Sequence, residues 1–207
     1  MSKQTPTILI TGFGPFPGAP DNPSQLLVKA LSEQKNTDGI NANLVYGLLP
    51  THWQKLTPAL DNLFDQHQPD FCVHLGYSAI SPGFCLETSA YNETCAQPDV
   101  DGHAGSCDPV LIEQPLQLTS NLPLEVIEQK LSTAGFKSMT SNDPGRYLCN
   151  MSYYLSLTRG RSSLFVHIPA IKTDEGLVPQ AHEGENHLSL HEACNGLMVI
   201  AASLTKP

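Results

Sequence analysis

The chain has 207 residues, 40% of them hydrophobic, and a formal net charge of −9. That length fits one domain with a sizeable core, and that composition is globular rather than disordered. The acidic balance, with no basic cluster to offset it, argues against nucleic acid as a partner, and no apolar run approaches the roughly 20 residues of a membrane span.

The start, Met1-Ser2-Lys3-Gln4, leads into a strand-like run without the architecture of a signal peptide, so the expected compartment is the cytoplasm. The six cysteines (Cys72, Cys85, Cys95, Cys107, Cys149 and Cys194) are then expected to be reduced thiols. None sits in a Cys-x-x-Cys pair, which argues against a zinc ribbon or a dithiol redox site.

Residues 7–10 form a β-branched run that predicts a buried strand opening into the glycine- and proline-rich loop Thr11-Gly12-Phe13-Gly14-Pro15-Phe16-Pro17-Gly18. Asn22-Pro23 predicts a helix start, with Asn as N-cap and Pro at the first helical position, and Leu26, Leu27, Ala30 and Leu31 follow at helical spacing. The loop lacks G-x-G-x-x-G and carries prolines where a phosphate cradle needs N–H groups. Its Phe13 and Phe16 either pack the loop onto the core or wall a small ligand at the carboxyl end of the first strand.

Residues 40–49 alternate and predict a second strand. Trp53, Leu56, Leu60, Leu63 and Phe64 predict a helix that Pro58 either kinks or restarts from a Thr57 cap. Residues 71–76 predict a short buried strand, and residues 83–92 an extended, two-faced segment. Glu87 lies inside that segment, and a carboxylate there usually takes the wet face. Residues 93–121 have no helical period and predict loops with at most a hairpin.

Residues 122–134 predict a helix with Val126, Ile127, Leu131 and Ala134 on one face and Gly135 as its stop. Residues 136–139 predict a brief strand feeding Ser141-Asn142-Asp143-Pro144-Gly145-Arg146-Tyr147-Leu148-Cys149-Asn150. That stretch is a polar turn running into an amphipathic helix over residues 147–157, so Cys149 falls where unpaired N–H groups and the helix dipole favour a thiolate. The plainer reading is a buried cysteine that packs a helix. Residues 163–169 predict a buried strand ending in His167-Ile168-Pro169; residues 172–187 a polar loop; residues 188–204 a closing apolar helix. The alternation predicts a single-domain, three-layer α/β/α sandwich around a largely parallel twisted sheet.

Singly, Glu87, Cys149 and His167 are weak signals. Together they supply a thiol nucleophile, an imidazole to hold the thiolate and protonate a leaving amine, and a carboxylate to orient the ring. His74 is a second candidate base. A metal reading of His182, Glu183, Glu185, His187 and His191 rests on the i, i+4 histidines 187 and 191, but H-E-x-x-H is missing and no metal is expected.

Three motifs resemble those of the type I pyroglutamyl peptidases, a family of cysteine peptidases. They are Thr11-Gly12-Phe13-Gly14-Pro15-Phe16 with Asn22-Pro23-Ser24; Gly76 with Glu87-Thr88-Ser89-Ala90-Tyr91-Asn92; and the Ser141 to Asn150 turn with Phe165-Val166-His167-Ile168-Pro169. The resemblance implies an exopeptidase that removes an N-terminal pyroglutamyl residue from blocked peptides, without a cofactor. It implies Cys149 as nucleophile, His167 as base and acid and Glu87 as the group orienting it. It further implies Phe13 and Phe16 flanking the lactam ring, Asn22 shaping their loop, Tyr147 near the substrate, and a homo-oligomer.

The chain departs from the family in having Tyr77-Ser78-Ala79-Ile80-Ser81-Pro82 where small residues and an arginine are usual, and Pro144 in place of an alanine. An arginine expected about ten residues beyond the glutamate falls at Ala96 or Gln97, and Arg146 is the nearest substitute for its charge. Two alternatives follow from those departures: a relative acting on another small acyl or amide substrate, or a non-catalytic pyroglutamyl-binding protein.

Overall fold

A computed structural model describes residues 5–17, 19–34, 39–179 and 186–205. The chain runs β1 (Thr7–Phe13), α1 (Pro23–Glu33), β2 (Asn43–Leu49), α2 (Trp53–His67), β3 (Phe71–Tyr77), β4 (Phe84–Glu87), β5 (Ser89–Tyr91) and β6 (Gln117–Thr119). It continues through α3 (Leu124–Thr133), β7 (Ser138–Ser141), α4 (Leu148–Thr158), β8 (Ser162–Ile168), β9 (Ala170–Thr173), β10 (Gly176–Val178), β11 (His187–Ser189) and α5 (Leu190–Thr205).

Six strands make the central sheet, in the order β2-β1-β3-β8-β4-β7. β1, β2, β3 and β8 run parallel, whereas β4 is antiparallel to β8 and parallel to β7. Buried alternation explains the layering. Ile8 and Ile10 of β1 face one core, with Leu27 and Leu31 of α1, Ile127 and Leu131 of α3 and Leu197 and Ile200 of α5. Leu9 faces the other, with Leu56, Leu60 and Phe64 of α2 and Tyr153, Tyr154 and Leu155 of α4. Helices on both faces of a mostly parallel sheet give the expected three-layer sandwich, and strands apolar on both sides are what such a sheet requires.

Two glycines let the layers meet. A Cβ on Gly12 would lie 2.5 Å from the Ser24 carbonyl oxygen, so the first turn of α1 rests directly on β1. A Cβ on Gly196 would lie 2.2 Å from the Phe84 ring, so α5 crosses β4 at a side-chain-free point. Asn22 caps α1 as expected, its Oδ1 accepting the Ser24 N–H at 3.0 Å.

Several local expectations are corrected. Pro58 sits within one continuous α2, so of its two readings the fresh start from a Thr57 cap is the one overturned; the N–H it lacks would have bonded Gln54, an exposed residue. The buried stripe of α3 is Leu124, Ile127 and Leu131; Val126 lies off that spacing and is 47% exposed, and Ala134 is exposed too. The strand expected over 136–139 is β7, displaced because Phe136 packs edge-on against Phe84 instead. Described residues in the expected polar loop form β9, β10 and β11, anchored by buried Ile171 and Leu188. His187 therefore lies in a strand rather than a helix start, and His191 is paired with Asn195 at 2.9 Å, which removes the i, i+4 metal geometry. His182, Glu183 and Glu185 lie outside the described residues.

Gly12→Ala is expected to destabilise the protein by about 1–3 kcal/mol, because the obstructing atoms are backbone and α1 must lift from the sheet. Urea unfolding of the variant beside wild type checks this.

Candidate active site

The turn before α4 is built by its own polar side chains. Ser141 Oγ accepts the Asp143 N–H at 3.2 Å, Asp143 Oδ1 accepts the Gly145 N–H at 3.1 Å, and Gly145 takes φ +76°. Tyr147 then stands at the N-cap in extended conformation, and no side chain among the described residues caps the helix. Cys149 is the second helical residue, so its thiol shares the first turn with unpaired N–H groups at the positive end of the dipole. The sulfur reaches the sheet at β3: a Cβ on Gly76 would lie 2.8 Å from Cys149 Sγ.

Gly76 is also the β3 partner of His167 on β8. On the other side β8 pairs antiparallel with β4, Cys85 opposite His167 and Glu87 opposite Phe165. Glu87 and His167 are thus diagonal neighbours on one face, within reach of a long side chain. Glu87 Oε1 lies 2.7 Å from His167 Nδ1. The carboxylate is 2% exposed, against the expectation of a wet face. Its burial is compensated by the imidazole and by Cys85 Sγ, 3.8 Å from Oε1, while Oε2 has no partner among the described residues.

With Nδ1 engaged by Glu87, the imidazole lines the same cleft as Cys149, close enough for the thiol to act on its charge. Burial alone would push the His167 pKa down, but the hydrogen bonds and charges of Cys149 and Glu87 outweigh it and raise it to about 9. All three sequence-predicted groups therefore meet.

Two clefts open at this point. A small one, about 210 Å³, is lined by Phe13, Phe16, Asn22, Thr51, Gly76, Tyr77, Gln97, Tyr147, Leu148 and Cys149. Phe13 both packs the core and walls the cleft, so its two readings are not exclusive. Phe16 stacks on Tyr77 at 5.8 Å. Asn22 Nδ2 and Thr51 Oγ1 both donate to the Gly14 carbonyl, at 2.9 and 3.1 Å, and hold the phenylalanine loop closed. Tyr147 donates its hydroxyl to the Pro98 carbonyl at 2.9 Å and meets the edge of Trp53. A wider cleft, about 520 Å³, continues past Cys149 along Glu87, His167, Ser141, Pro144 and Gly145.

Two candidates fall away. His74 is fully buried between Thr11 Oγ1 and Ser156 Oγ, both at 2.7 Å, and burial lowers its pKa to about 3. Arg146 is held by Glu93 and Asp143, both at 2.6 Å, and lies 3.9 Å above the Tyr91 ring, so it does not supply the missing charge. Sequence reasoning missed Thr51 as a lining residue. It also gave Gln97 no role, because nothing in an aperiodic stretch marks which side chain faces a cleft.

A family model for pyroglutamyl peptidase matches residues 6–206. The chain belongs to the pyroglutamyl peptidase family. A pyrrolidone-carboxylate peptidase of Pyrococcus furiosus is 32% identical over 185 residues, spanning 83% of this chain and 88% of its own. Pyroglutamyl-peptidase 1 of Rattus norvegicus is 30% identical over 174 residues, spanning 83% and 82%. The crystal structure of the pyrrolidone carboxyl peptidase of Fervidobacterium islandicum AW-1 superposes with a TM-score of 0.86 at 28% identity, covering 96% of this chain and 97% of that one.

Titration of His167 by NMR should show a midpoint well above the ordinary value near 6.5, toward about 9, and Glu87→Gln should bring it down. A raised folded pKa means the stability from this contact is complete below about pH 6.5 and is lost as pH rises through about 9. Gly76→Ala should push the sulfur off the strand, leaving the far-UV spectrum unchanged while slowing iodoacetamide alkylation of Cys149 or, in a turnover assay, cutting kcat/KM by about 100-fold.

Proposed function

We propose that the chain is a cysteine exopeptidase that hydrolyses the amide bond after an N-terminal pyroglutamyl residue. The observation that carries this is one cleft lined by Cys149, by His167 and by the buried Glu87 carboxylate 2.7 Å from the imidazole, beside a small, mainly apolar cleft that Cys149 shares. The cleft is below the roughly 300–1,000 Å³ of drug-sized sites, and its aromatic walls suit a compact uncharged lactam ring.

In this reading the Cys149 thiolate attacks the pyroglutamyl carbonyl, and the first-turn N–H groups of α4 receive the developing oxyanion. His167 then gives its proton to the leaving amine, which departs along the wider cleft. Water, deprotonated by the same imidazole, hydrolyses the thioester and frees pyroglutamate. Glu87 holds the ring and supports its charge. Where the family's arginine is missing, Ala96 has no polar side chain, and Gln97 offers a neutral amide that lines both clefts.

A cytoplasmic location is supported by the six unpaired cysteines. No helix among the described residues is long and apolar enough to cross a membrane. The apolar side chains of Ile112 and Leu116, 83% and 78% exposed, support self-association.

A fluorogenic pyroglutamyl amide should be cleaved, and the matching prolyl amide should not, since it lacks the lactam carbonyl. Cys149→Ser and His167→Ala should each lower kcat by at least about 10³-fold, and a chelator should leave the rate unchanged. The alkaline limb of kcat/KM should fall near pH 9, where the imidazolium loses its proton, and move to lower pH in Glu87→Gln. Binding without turnover of the pyroglutamyl amide would favour the non-catalytic alternative.

A further inference from the structure

We propose that His52, Asp101 and His103 form a binding site for a divalent transition-metal ion of the zinc class, which fastens the 99–103 turn to the start of α2. One ligand atom from each residue lies within 4.8 Å of the other two. Tetrahedral nitrogen and oxygen ligands at about 2.0–2.2 Å from zinc stand roughly 3.3–3.5 Å apart, so a modest inward movement of exposed side chains closes the set. His52 Nε2 and Asp101 Oδ2 are already 3.2 Å apart. Imidazole and carboxylate donors suit zinc, copper or nickel better than magnesium or calcium, and water would complete the coordination.

An independent feature points the same way. Asp99, whose side chain is wholly buried, sits behind both rings, with Oδ2 3.4 Å from His52 Nδ1 and Oδ1 3.6 Å from His103 Nδ1. A carboxylate behind a ligating histidine is the usual means of fixing its tautomer. Ligation requires His52 Nε2 to be free of hydrogen, and the ring proton then sits on Nδ1, facing Asp99. The Gln54 N–H, which donates to that Nδ1 at 3.1 Å, would then have to give up this bond. Lys55, whose ammonium is 3.3 Å from Asp101 Oδ2, is largely exposed and free to swing away when a cation arrives.

None of the three ligands lines either cleft at the thiol. The turn the ion braces reaches the small cleft through three contacts: Val100 N–H to the Thr51 carbonyl, Trp53 Nε1–H to the Gln97 carbonyl, and the Tyr147 hydroxyl to the Pro98 carbonyl. The inference stands whether or not the chain is a peptidase.

Cobalt(II) titration of the Cys149→Ser variant, which removes the sulfur of the cleft, tests it. The expected result is one saturable equivalent with visible d–d bands of tetrahedral cobalt and no thiolate charge-transfer band, together with slower amide exchange over residues 97–105. His103→Ala and the conservative Asp101→Asn should each weaken binding by at least about tenfold, with circular dichroism unchanged. No saturable binding, a thiolate band, or binding that neither substitution affects would overturn the proposal.

Discussion

The reversed pairing of β4 against β8 is the constraint on which the rest of the site depends. With Cys85 opposite His167 and Glu87 opposite Phe165, all four side chains share the face that α4 covers. A slip of one residue would turn Glu87 into the opposite layer, and a slip of two would carry it beyond the reach of the imidazole. The register is held from both sides. Tyr153 of α4 donates its hydroxyl to the Glu87 carbonyl at 2.9 Å, and the next residue, Thr88, donates its N–H to Ser141 of β7 at 2.6 Å. One helix therefore supplies the sulfur and, one turn later, a tether for the strand bearing the carboxylate.

How much of this was legible in the sequence follows from how local each feature is. The cysteine turn could be read because Asn, Asp, Pro and Gly before an apolar helical run have one structural outcome. His167 could be placed at a strand end for the same reason. Glu87 could not be placed by its own neighbours, since the face a short strand buries depends on what pairs with it. That β8 inserts between β3 and β4 is a fact of topology, which no window of sequence carries. Arg146 looked available by proximity in the chain, yet Glu93, a distant residue in sequence, holds it elsewhere.

The segment between β5 and α3 shows a different kind of order. It has little secondary structure, and several of its backbone groups are satisfied by two asparagines instead. Asn92 donates to the Leu111 and Gln114 carbonyls and accepts the Leu111 N–H, while Asn150 of α4 exchanges hydrogen bonds with both backbone groups of Tyr91 and donates to the Glu93 carbonyl. Such bonds have no periodicity, so the cleft wall carrying Gln97 was invisible to pattern reading. They also explain why Asn150 follows the cysteine directly: the residue that docks this wall is one peptide unit from the sulfur it borders.

The meeting of Gly196 with the Phe84 ring has a consequence for how such chains can diverge. The two positions are 112 apart, yet they constitute one choice, because the volume present at one is the volume absent at the other. Among relatives, a side chain at 196 should occur only where position 84 has lost its ring, and the pair should change hands together or not at all.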